Sequence, residues 1–157
     1  MRRIFQFGLF ALAACGDNQD PATADDLFRR IQTANYRATF AKAPGYATKQ
    51  PSNTAHAKFS DIFVNPTVDG AIKAKKPLKE WPLGSLVVKD GYDGDGAVQL
   101  IAVIEKRADG WFWAEYTKPT SADGGAKYSG KPSICINCHQ AAADAGNDFT
   151  QAIALPK

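Results

Sequence analysis

Thiols and imidazoles are scarce in this chain of 157 residues, which holds three cysteines and two histidines. The cysteines stand at positions 15, 135 and 138, the first of them beside an apolar N-terminal leader. No further thiol is therefore available to complete a zinc set around the other two. Strong charge is lacking as well. The formal net charge is +3, and it falls to +1 once Arg2 and Arg3 leave with an acid-free leader. A balance so near neutrality excludes nucleic acid as a partner. The apolar run Ile4 to Ala14, broken only by Gln6, is too short to cross a bilayer as a helix. No internal repeat and no second domain boundary are visible, and proline and glycine fall between elements as turn punctuation. What remains is one modest domain, 45% hydrophobic and 11% aromatic, which excludes a disordered chain.

The most informative stretch that is present is Cys135-Ile-Asn-Cys138-His139. This C-x-x-C-H spacing is the attachment signature of a c-type haem. Two thiols three residues apart reach the two vinyl groups on one porphyrin edge, and the adjacent histidine lies under the iron. The competing readings are a disulfide, half a zinc site or a redox dithiol. The last should open a helix early in a βαβ unit, whereas this pair lies near the C-terminus. The sequence thus predicts one covalent haem c on Cys135 and Cys138, with His139 as its metal ligand.

The N-terminus predicts the compartment. Arg2-Arg3, a short apolar region and small residues before a cut site describe a signal peptide over residues 1–14. Leu12-Ala13-Ala14-Cys15 is similar to a bacterial lipobox, in which the cysteine is lipidated and becomes the mature N-terminus. The competing reading is ordinary cleavage near Ala14. The expectation is a lipidated tether over residues 15–23, a haem domain over 24–157, and a protein of the bacterial cell envelope, anchored by lipid and facing the periplasm or the outer membrane. Export agrees with covalent haem, which bacteria attach outside the cytoplasm.

Along the chain, Thr23-Ala-Asp-Asp26 has the form of a capping box. Leu27, Ile31, Ala34, Ala38 and Ala41 recur at helical spacing, which predicts a helix over 24–42, stopped by Ala43-Pro-Gly-Tyr46. Residues 47–55 read as a polar connector. Strands are expected over 58–64, 85–89, 97–105 and 111–117, with a short helix over 68–74 and a hairpin at 108–110. Residues 91–96 and 119–132 read as loops, and a helix carries the haem motif from 135 to about 145. The fold class is α+β: an antiparallel sheet flanked by an N-terminal helix and a C-terminal haem-binding helix.

Four features, in this order, resemble the cytochrome P-460 and cytochrome c-prime beta family. They are the strand ending Ile62-Phe63-Val64-Asn65-Pro66, the segment Pro82-Leu-Gly84-Ser-Leu-Val-Val-Lys89, the aromatic Trp111-Phe-Trp113, and the late C-x-x-C-H followed by Asp148-Phe149-Thr150. The resemblance implies a β-rich and commonly dimeric fold around a five-coordinate haem. Cytochromes P-460 oxidise hydroxylamine to nitric oxide or nitrous oxide and carry a lysine–porphyrin bond, and Lys89 matches that lysine. The beta-type c-prime cytochromes lack the bond and bind nitric oxide in an apolar pocket.

Other residues are weighed against that likeness. Lys89 is otherwise a solvated lysine at a strand end. His56 is either a sixth ligand or a hydrogen-bonded side chain at the start of its strand. The family's polar pocket groups are an arginine on the first strand and an acid after the motif. No arginine lies between Arg37 and Arg107, and Asp144 is the first acid after His139. Phe59, Asp61 and Phe63 share one strand face by the period of two, and that face is either an apolar haem wall or ordinary core. Trp111 and Trp113 read as core. Asp90 to Asp95 read as a solvated turn rather than a calcium loop. Three functions follow. The first is an oxidoreductase acting on hydroxylamine or a related small nitrogen species, with a periplasmic electron acceptor. The second is a nitric-oxide-binding module, and the third is a six-coordinate electron carrier.

Overall fold

The computed structural model describes residues 19–157. The signal peptide expected over 1–14 and the lipidation expected at Cys15 lie outside the described residues. Helix α1 spans Pro21–Thr33, three residues earlier than the capping-box reading, because Asp20 accepts a hydrogen bond from the Thr23 amide and Pro21 supplies the first helical residue. The expected helix over 24–42 divides at Asn35, whose left-handed backbone (φ 48°) separates α1 from the single turn α2, Tyr36–Thr39. Helix α3 covers Pro66–Ala74 and α4 covers Ser133–Asp144. Among the described residues no helix is long and apolar enough to cross a membrane.

Seven strands form one antiparallel sheet: β1 Ala41–Lys42, β2 Gln50–Thr54, β3 Ala57–Val64, β4 Leu86–Tyr92, β5 Val98–Arg107, β6 Gly110–Tyr116 and β7 Ala126–Gly130. The path runs β1-β3-β4-β5-β6-β7, and β2 pairs with β3 beyond the short β1. Two segments expected to be irregular carry strands, β2 in the connector 47–55 and β7 in the loop 119–132. Their sequences lack β-branched apolar runs, and pairing with β3 and β6 imposes the extended form.

Alternation gives the sheet two buried faces. One holds Phe63, Leu86, Val88, Ile101, Val103, Phe112 and Tyr116 against Leu27, Phe28 and Ile31 of α1. The other holds Ile62, Val64, Val87, Trp111 and Trp113, with Cys135, Ile136 and Phe149 packed against them. The haem motif therefore faces the second side. Asp90 is fully buried on the first, accepting hydrogen bonds from Tyr36 Oη at 2.5 Å and Arg37 Nε at 2.5 Å. Asp90 thus belongs to a buried network rather than to a solvated turn. Burial, and then that carboxylate, push the Tyr36 phenol far above its usual range.

Candidate functional site

Helix geometry brings the motif together. Cys135, Cys138 and His139 lie at i, i+3 and i+4 of α4 and so share one face. Cys135 is partly buried against the apolar cluster, while Cys138 is exposed. The His139 ring lies edge-on to Trp113 with centroids 4.7 Å apart. Its Nδ1 is 2.7 Å from the Phe149 carbonyl oxygen, which only accepts, so Nδ1 carries the hydrogen and donates. Nε2 is left as the lone-pair nitrogen, the tautomer a metal requires. Burial is the largest influence holding the imidazole below its ordinary pKa, and nearby His56 and Lys89 act the same way against the Phe149 hydrogen bond.

A row of paired residues crosses the sheet beside this helix: Ile62, Lys89, Ala102, Glu115 and Tyr128. All point to the motif's side, by alternation from Val87, Ile104 and Trp113. Ala102, the smallest of them, separates Lys89 from Glu115. The Lys89 ammonium is half-buried, lies 3.0 Å from Thr54 Oγ1 and 3.3 Å from Ser52 Oγ, and has no carboxylate partner among the described residues. Burial lowers its pKa. Beyond Ala102, Glu115 Oε2 is 3.0 Å from His56 Nδ1, and the His56 ring centroid is 6.5 Å from that of His139. His56 thus stands at the start of β3 as a hydrogen-bonded side chain of the site. Gly91 makes room for this turn, since a Cβ there would sit 2.2 Å from the His56 carbonyl oxygen.

Phe59 and Phe63 stand elsewhere. Their strand face is the one covered by α1 and α2, where Phe63 packs against Tyr36 at 5.4 Å, Leu86 and Val88. Phe59 lies at the partly exposed end of that face. Ile62, their neighbour on the other face, is the one that meets the motif's cluster. Asp144 is exposed at the end of α4, bonded to Gln140, and five residues past His139, about 140° around the helix. A carboxylate that does reach the motif's surroundings is Glu115, through His56. Its period-two relation to Trp111 and Trp113 was the available signal for it.

The donor set fits a c-type haem. Two cysteines and an imidazole share one helix face, Nε2 has no hydrogen-bond partner among the described residues, and Trp113, Phe149, Ile62 and Val87 supply an apolar surround. Among the described residues no group of three or more His, Cys, Asp or Glu side chains is placed to hold a bare metal ion. A family model described as Cytochrome P460 matches residues 33–150. No curated protein and no solved structure matches the chain.

Proposed function

The chain belongs to the cytochrome P460 family and is a c-type haem protein, and from that premise we propose that it oxidises hydroxylamine or a related small nitrogen species. The haem would supply an open iron position and the route by which electrons leave to a periplasmic acceptor. Cys135 and Cys138 would hold it, and His139 would offer Nε2 to its iron. Trp113, Ile62 and Val87 exclude water beside it. His56, held at Nδ1 by Glu115, gives the edge of the site a hydrogen-bonding group.

The observation that carries this reading is Lys89. A lysine attacks carbon only as the neutral amine, and burial on the motif's own sheet face favours that form; putting that nitrogen in place of a porphyrin hydrogen would also need a two-electron oxidant such as a peroxide, the C–H and N–H hydrogens leaving as protons. The absorption spectrum of the reduced protein tests it. A lysine-bonded haem absorbs far to the red of an ordinary c-type haem. Lys89→Leu is expected to restore the ordinary high-spin spectrum and abolish hydroxylamine oxidation. Wild-type protein with the ordinary spectrum defeats the enzyme reading and leaves the nitric-oxide-binding one. The proposal includes export, a lipid on Cys15 and a homodimer, the last checked by light scattering of detergent-free soluble domain.

A further inference from the structure

The Phe149 carbonyl that fixes His139 is itself held in an unusual way. Asp148 and Phe149 are consecutive non-glycine residues with left-handed backbones, φ 47° and 66°. L-residues avoid that region, and such a pair persists only where the surroundings over-determine it. The surroundings here converge on a single residue. Trp81, 1% exposed, donates its backbone N–H to Asp148 Oδ2 at 2.9 Å and its indole Nε1–H to Thr150 Oγ1 at 2.9 Å. It therefore grips the residues on both sides of Phe149. Asp148 also accepts from Trp111 Nε1 at 3.1 Å and from Lys106 Nζ at 3.0 Å through both oxygens. Thr150, 2% exposed, lies with its hydroxyl 2.7 Å from the carbonyl oxygens of Asn147 and Ile153, and its amide donates to Asn147. Lys106 is bridged in turn to Glu80 at 3.0 Å.

We infer that Trp81, Asp148 and Thr150 form a clamp that aims the Phe149 carbonyl at His139 and thereby sets the strength of His139 as an axial ligand. They are positioning residues. None touches the reacting atoms, and the effect passes through one hydrogen bond. The inference rests on the haem reading and goes beyond it. An imidazole whose Nδ1–H donates to a well-placed acceptor is oriented about its ring bond and made more basic at Nε2. A more basic ligand stabilises the oxidised iron over the reduced. The clamp thus holds the reduction potential low, which suits a haem that must later pass its electrons to an acceptor. The network's cost also becomes intelligible. Two strained residues and a largely covered carboxylate are retained in a segment where an ordinary turn would be simpler, and a buried lysine reaches it from β5.

The test uses neutral substitutions, because removing the Asp148 charge would shift the potential directly. Thr150→Val and Trp81→Phe break the same side of the grip, the Trp81 Nε1–Thr150 Oγ1 bond, from its two ends without changing charge, and Thr150→Ser keeps the hydroxyl. Each is prepared as holoprotein and checked for covalent haem by denaturing mass spectrometry. The midpoint potential and the iron–histidine stretching band of the reduced form are then read. The expected result is a higher potential and a lower stretching frequency in Thr150→Val and Trp81→Phe, with Thr150→Ser at the wild-type values. Haem retained with band and potential unmoved in both deletions overturns the clamp alone, whatever their unfolding temperatures. Wild-type protein without retained haem overturns the haem reading and the clamp's role with it.

Discussion

Lys89 is the residue at which burial and charge conflict most openly. An ammonium removed from water is disfavoured, and two hydroxyls replace its hydration less well than a carboxylate would. Its pKa therefore lies below the ordinary 10.5 in the folded chain. The unfolded chain binds the proton more tightly, so this group's contribution is complete above 10.5 and is lost as pH falls through the folded value. In a haem-free background made by Cys135→Ser and Cys138→Ser, urea unfolding midpoints should rise with pH across that window. Adding Lys89→Met should flatten the rise. A slope that Lys89→Met leaves unchanged would put the ammonium in water. The sequence located this residue through its place in Gly84-Ser-Leu-Val-Val-Lys89, but the partners on β2 were invisible, because Gln50-Pro-Ser-Asn-Thr54 has no strand pattern of its own.

At the scale of elements, the site depends on two junctions. Asn65 caps α3 by accepting from the Val68 amide at 3.2 Å, accepts from the Leu86 amide at 3.1 Å, and donates to the Gly84 carbonyl at 2.8 Å. One side chain thus joins the end of β3 to the start of the lysine strand. Asn65→Ala should cost about 2 kcal/mol in urea unfolding, a lost cap plus its share of two further hydrogen bonds, and Asn65→Asp should cost less. The second junction is the turn carrying His56, which crosses β4 at Gly91. A methyl group there would overlap the His56 carbonyl oxygen at 2.2 Å and approach Leu100 Cγ at 3.0 Å. Gly91→Ala should destabilise the fold by about 1–3 kcal/mol and loosen the contact of His56 with Glu115, seen as a shift of the His56 ring resonances. A variant matching wild type in both would show that the turn yields easily. The motif helix and the strands of the central sheet were legible from spacing and alternation. The faces were not, because Phe59-Ser-Asp-Ile-Phe-Val64 is apolar on both sides, so periodicity could not tell which of Ile62 or Phe63 meets the motif's cluster.

The whole molecule is a sheet with its two faces put to different uses. The face under α1 is a sealed core with a buried Asp90 network, and the face under α4 carries the motif, Lys89 and the His56–Glu115 pair. This division follows from one fact about topology. Each central strand is buried on both sides, so a one-residue change of register would exchange the core residues for the site residues. How the molecule is held in the cell is a separate question of charge and lipid. Residues 15–157 carry a formal charge of +1. Each basic residue near an anionic surface contributes only about 1 kcal/mol, so a net charge this small gives the domain as a whole little attraction to a membrane. Acyl chains on Cys15 would hold it there, at ~0.8 kcal/mol per buried CH₂, and two or three chains hold far more firmly than one. Full-length protein expressed in a bacterial host should therefore sediment with membranes, resist a high-salt wash and dissolve in detergent. Cys15→Ser should either release haem-loaded protein in soluble form or leave an unprocessed precursor, distinguished by its mass. Cys15→Ser protein that is processed at Ala14 and still sediments with salt-washed membranes would show that the anchor lies elsewhere.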